Sequence, residues 1–140
     1  MNAAAFAGFA AIQVCTPKYP RQRTARAIAR QLDASEFHRD ETYRLRLLER
    51  PLYTYSDVDQ GVVEGMLFAF AYGTNPEILL QLEARQAGEE RPKWQAAFAR
   101  LSSAEITVKL DDRKIWKAPA VREFDARESY YSASEREETK

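Results

Sequence analysis

The chain has 140 residues and a mass of 16.1 kDa, the length of one domain, and it can bury roughly two-thirds of the surface its unfolded form exposes. Its 45% hydrophobic and 11% aromatic content is that of a globular protein, and 21 basic residues balance 21 acidic ones, so composition makes no electrostatic case for nucleic acid or an anionic membrane. Cys15 and His38 are its single cysteine and histidine, which excludes an intrachain disulfide and a CxxC metal site. A zinc site or a Ser-His-Asp triad would have to form around His38, and no partners stand near it at a suitable spacing. No metal and no cofactor are expected.

The first twenty residues read as an apolar, then extended, segment. Ala3 to Val14 has the length of a signal-peptide core, but no Lys or Arg precedes it, and it is too short to span a bilayer. The expected compartment is the cytoplasm, with export as the alternative if this segment is a truncated signal. Residues 16–23, with two prolines, read as a linker. "TARAIARQLDASEFH" then reads as a helix capped by Thr24, with Ala25, Ile28, Ala29 and Leu32 on one face.

From Tyr43 the period changes to two. Tyr43, Leu45 and Leu47 alternate with Arg44 and Arg46, which reads as a half-buried strand that Pro51 interrupts. Val62 to Tyr72 is a long apolar run. "NPEILLQLEARQAG" conflicts with itself: Asn75, Pro76 and Glu77 are helix-start residues and Gly88 a stop, yet Ile78, Leu80, Leu82 and Ala84 alternate as in a strand. The strand is preferred, because an antiparallel hairpin about "GTNP" follows from it. "WQAAFARL" is read as a third strand. Ile106 to Leu110 and Lys114 to Lys117 read as a hairpin turning at Asp111–Asp112–Arg113.

With "GTNP" as a four-residue loop, Tyr72 faces Glu77, Phe70 faces Leu79, Phe68 faces Gln81 and Met66 faces Glu83. Arg85 then meets Trp94. One face is large and aromatic, the other small, with Ala69, Ala71, Ala97 and Ala99, and both are expected to be covered. The fold class is α+β: an antiparallel sheet or sandwich-like β domain packed by one N-terminal helix. The divisions are an N-terminal segment (1–20), a β-rich domain (21–122) and a charged tail without fixed structure (123–140).

The pattern "LRLL…PLYTY…EGMLFAFAYGTNPEILLQLEAR…WQAAFARL" resembles a family of bacterial proteins with no established activity. They carry Pro-Leu-Tyr-Arg-Tyr, then Asp-Gly before a Phe-Ala-Phe strand, a Gly-Thr-Asp/Asn-Pro-Glu turn and a strand ending in Glu-Ala. The likeness runs from about Pro20 to Trp116 and departs at two places. Thr54 replaces the arginine between the tyrosines, and Glu64 replaces the aspartate before the glycine. The resemblance implies a β-rich fold and no particular chemistry.

Candidate ligand-binding residues are Tyr53, Tyr55, Asp59, Glu64, Glu83, Arg85, Trp94 and Arg100. Tyr53, Tyr55, Tyr72 and Trp94 are a possible aromatic platform for a sugar or peptide, and Arg85 over Trp94 a cation–π contact. The leading expectation is a noncatalytic binding domain for a protein or glycan. One alternative is a hydrolase- or lyase-type enzyme that brings Asp59 or Glu64 to Arg100 or Tyr55. Another is a subunit of a homo- or hetero-oligomer that associates by edge strands. P-loop, GxGxxG, GxSxG and HExxH motifs are absent from the sequence, so nucleotide-dependent and common hydrolytic chemistries lose support.

Overall fold

The computed structural model describes residues 7–11, as backbone, and residues 21–121. It is an α+β protein: one helix and two antiparallel sheets that sandwich a single core. The larger sheet holds β1 (Ala7–Ala11), β4 (Arg46–Asp57), β5 (Val62–Tyr72), β6 (Asn75–Arg85) and β7 (Lys93–Arg100), in the order β1-β7-β6-β5-β4. The smaller holds β2 (Leu32–His38), β3 (Glu41–Arg44), β8 (Glu105–Leu110) and β9 (Arg113–Ala118), in the order β3-β2-β8-β9. Helix α1 (Arg21–Gln31) leads directly into β2.

Each element follows from its pattern. The helix buries Ala25, Ile28 and Ala29, one stripe at 3.6-residue spacing. It begins earlier than the sequence suggests, so Thr24 lies inside it and is buried rather than capping. It also ends earlier, because Leu32 and Ala34 alternate inward and pair with β8, which turns the expected last helical turns into strand. β4 runs through Pro51 instead of stopping there. It is an edge strand, and the ladder skips from Leu48 to Tyr53 in a bulge, so proline costs no hydrogen bond. Two hairpins, β2–β3 and β8–β9, turn on left-handed pairs, Arg39–Asp40 and Asp111–Asp112, whose φ values are 50° and 62° in both. That geometry matches the twist of paired strands.

The residues from Asn75 to Arg85 are strand despite their helix-start chemistry, because β5 and β7 flank them on both sides. The register differs from the one expected. β5 and β6 turn over Gly73 and Thr74 alone, Gly73 at φ 59°, and a bulge lies between Phe70 and Ala71. Tyr72 therefore faces Asn75, Phe70 faces Ile78, Phe68 faces Leu80 and Met66 faces Leu82. The slip by one residue exchanges the faces of β6 relative to β5. Aromatic side chains now meet aliphatic ones, and the polar Gln81 and Glu83 fall on the small-residue face.

The core lies on the aromatic face. Phe68, Phe70, Ile78, Leu80, Leu82 and Phe98 are all at most 1% exposed and meet Ile28 from the helix and Ile106 and Val108 from the smaller sheet. Each such side chain contributes about 1.5–3 kcal/mol on burial. Trp116 of β9 stacks on Phe98 at 5.3 Å between ring centroids and locks the two sheets together.

Candidate functional site

The outer face of the larger sheet, turned away from the core, carries a polar network built across three strands. Tyr55 on β4 faces Gly65 on β5, which faces Glu83 on β6. A Cβ at position 65 would fall inside the Tyr55 ring, so glycine is what lets the ring lie flat on the sheet. From there the Tyr55 hydroxyl donates to Glu83 Oε1 at 2.6 Å and accepts from Gln81 Nε2 at 2.5 Å. Arg85 donates from Nε and Nη2 to Glu83 Oε2, both at 2.9 Å. The Glu83 side chain is only 6% exposed, and these three neighbours satisfy it. Burial and the hydrogen bond to the Glu83 carboxylate push the Tyr55 phenol well above its ordinary range, so it is a fixed donor at all physiological pH.

Tyr53, two residues earlier on the same face, stacks on Tyr55 with centroids 5.8 Å apart and planes at 21°. It is 59% exposed. The arrangement is layered: Gly65 as floor, Tyr55 pinned by Gln81 and Glu83, and Tyr53 held against it with its ring open to solvent.

A second polar centre closes the opposite end of the sandwich. Arg100 sits at the end of β7 facing Ile78 and is 9% exposed. Its guanidinium donates to the carbonyls of Ser102 (2.9 Å), Pro119 (2.6 Å) and Ala104 (2.7 Å), tying β7 to both ends of the β8–β9 hairpin. Next to it Glu36 of β2 and Glu77 of β6 bring two buried carboxyls together from opposite sheets. Ser102 Oγ donates to Glu36, Asn75 Nδ2 donates to Glu77, and the amides of Leu101 and Ser102 donate to the Glu77 carbonyl. Burial first, and then the charge of Glu77, push the Glu36 carboxyl above the usual carboxylate range.

The structure therefore brings Tyr53, Tyr55, Glu83 and Arg85 together. It separates the other candidates. Trp94 points into the core, 5% exposed, opposite Ala84; Arg85 stands opposite Lys93, so the expected Arg85–Trp94 stacking does not form. Tyr72 lies at the far end of β5 and meets Tyr43 edge-on. Asp59 is in the 3-10 turn Val58–Gln60. Glu64 stands opposite Ala84, six residues along β5 from the Phe70 row that holds Arg100, about 20 Å at strand rise. The carboxylates and Arg100 thus occupy opposite ends of the sheet. Nothing in the sequence pattern marks Gln81, Glu36 or Glu77 as site residues. Only the true register puts Gln81 beside Tyr55, and only the sheet pairing puts Glu36 near Glu77.

Among the described residues no cluster of three or more His, Cys, Asp or Glu is arranged to hold a metal ion, and no helix is long and apolar enough to cross a membrane. Comparison with protein families, with curated proteins and with solved structures finds no match.

Proposed function

We propose that this chain is a noncatalytic binding domain that takes its ligand on the outer face of the larger sheet, with Tyr53 as the platform. The supporting observation is the layered mount: an aromatic ring 59% exposed, yet stacked on a neighbour that is itself pinned by two hydrogen bonds. An exposed ring held this way loses little conformational freedom when a ligand covers it, which is how rigid aromatic anchors gain affinity.

The favoured ligand is a glycan. The flat C–H face of a pyranose packs on an aromatic ring, and its hydroxyls bond to planar polar side chains beside that ring. Arg85, with a side chain 39% exposed, is the polar group at the rim. The buried polar groups beneath it are already paired, which suits a platform rather than a catalyst, since no carboxylate there is left to move a proton. The proposed setting is the cytoplasm of a bacterium, with export as the alternative.

Titration of the protein with a panel of neutral oligosaccharides, followed by calorimetry and amide chemical shifts, tests this. Saturable binding with shifts around Tyr53 and Arg85 is expected, lost in Tyr53→Ala and largely kept in Tyr53→Phe. Binding of extended peptides at the same residues, with no response to any glycan, would transfer the site to a protein partner.

A further inference from the structure

On the other side of the larger sheet, α1 and the start of β4 enclose a cleft of about 430 Å³, within the size range of small-molecule sites. Its floor is apolar: Leu32, Leu45, Leu47 and Phe70. Its rim is cationic. Arg30, Arg44 and Arg46 line it with one carboxylate, Glu49, and Arg26 adds its charge from the helix. Helix α1 itself contains no acidic residue. In a chain whose charges balance overall, four guanidiniums, Arg26, Arg30, Arg44 and Arg46, gather here against two carboxylates, Glu49 and Asp33.

Glu49 shows how this rim holds a carboxylate. Arg30 grips it with Nε on Oε1 at 2.8 Å and Nη2 on Oε2 at 3.1 Å, the two-pronged fork that guanidinium offers a planar anion. The pair is exposed, 55% for Arg30 and 60% for Glu49, so an incoming anion can take over from it at little cost. Arg44, 82% exposed and bridged to Asp33 at 3.2 Å, also lines the cleft. Arg46 is anchored by its Nε to the Gly73 carbonyl at 2.9 Å and adds charge without moving.

We propose that this cleft binds a small organic anion with an apolar body, a medium-chain carboxylate in chemistry, with the chain on the Leu45–Leu47–Phe70 floor and the head group on Arg30 and Arg44. This site is separate from the Tyr53 platform, which lies on the opposite face of the sheet, so each can fail without the other.

The test is an amide chemical-shift titration of the whole chain with decanoate, decanol and inorganic phosphate in parallel. Decanoate is expected to give saturable shifts at Ala29, Leu45 and Leu47, with decanol and phosphate each at least about tenfold weaker, as the loss of one charge-assisted contact or of the apolar floor implies. Arg30→Gln and Arg44→Gln each weaken decanoate about tenfold. Glu49→Gln, which removes the resident competitor, tightens it by up to about fivefold. All three substitutions are at exposed side chains and leave the spectrum otherwise native. No saturable shifts, shifts elsewhere on the chain, equal response to decanol, or equal response to phosphate would each overturn the proposal.

Discussion

The two faces of the larger sheet use overlapping sets of strands, β5–β6–β7 inside and β4–β5–β6 outside, for opposite purposes. On the inner face, Phe68, Leu80 and Phe98 stand in one cross-strand row, all at most 1% exposed. On the outer face, the row Tyr55, Gly65, Glu83 leaves out a side chain at its centre, and polar groups gather in the space. The inner face holds the protein together through volume. The outer face is rigid through hydrogen bonds, and it ends in an open ring. On the proposed function, stability and binding fall on different sides of one sheet, and substitutions should separate them.

The largest effect is expected inside. Phe98→Ala removes the ring that stacks on Trp116 and should cost about 3–5 kcal/mol in denaturant unfolding. Arg100→Leu leaves the carbonyls of Ser102, Ala104 and Pro119 without their donor at the sheet ends, and about 2–4 kcal/mol should be lost. On the outer face Gly65→Ala drives a methyl group into the Tyr55 ring and should cost about 1–3 kcal/mol. Combining it with Tyr55→Ala should recover part of that loss, because the clash disappears with the ring; strictly additive losses would refute the contact.

Glu36 gives the Arg100 end of the sandwich a pH dependence. Its carboxyl ionises at a higher pH when folded than when unfolded, so across that window the folded chain binds more protons. Its contribution is therefore complete below the ordinary carboxylate range and is lost as pH rises through the folded value. Wild-type thermal stability should fall from acid toward neutral pH by an increment that Glu36→Gln abolishes. An identical pH profile in the variant would show that Glu36 is not its source. Smallest in stability is Tyr53→Ala, within about 0.5 kcal/mol of wild type, as for other exposed positions.

How much of this was legible in the sequence divides along the same line. Alternation in residues 62–72 and 78–84 marked the strands, and the stripe Ala25, Ile28, Ala29 marked the helix, because burial imposes those periods directly. The β5–β6 register was missed because it depends on turn length. Two residues at Gly73–Thr74 move the Tyr72 partner by two relative to a four-residue loop, and the bulge beside them leaves a shift of one from Phe70 to Met66. That shift turns Gln81 onto the Tyr55 face, and a separate one-residue shift between β6 and β7 sets Trp94 opposite Ala84 instead of Arg85. Leu32 to His38 reads as helix in the sequence because its alternation is short and follows a true helix without a break. The meeting of Glu36 with Glu77 depends on how two sheets pack, which no local pattern encodes. Tyr53, Tyr55, Glu83 and Arg85 were legible as residue types, as aromatic and charged groups recurring with period two along strands.

The proposed glycan platform at the mounted Tyr53 ring is decided by calorimetric titration of wild type and Tyr53→Ala against neutral oligosaccharides, alongside their unfolding curves. Saturable binding to wild type is expected, and it vanishes in Tyr53→Ala while the unfolding midpoint stays where it was. Binding that survives the loss of the ring, or no binding by wild type to any glycan in the panel, would contradict it.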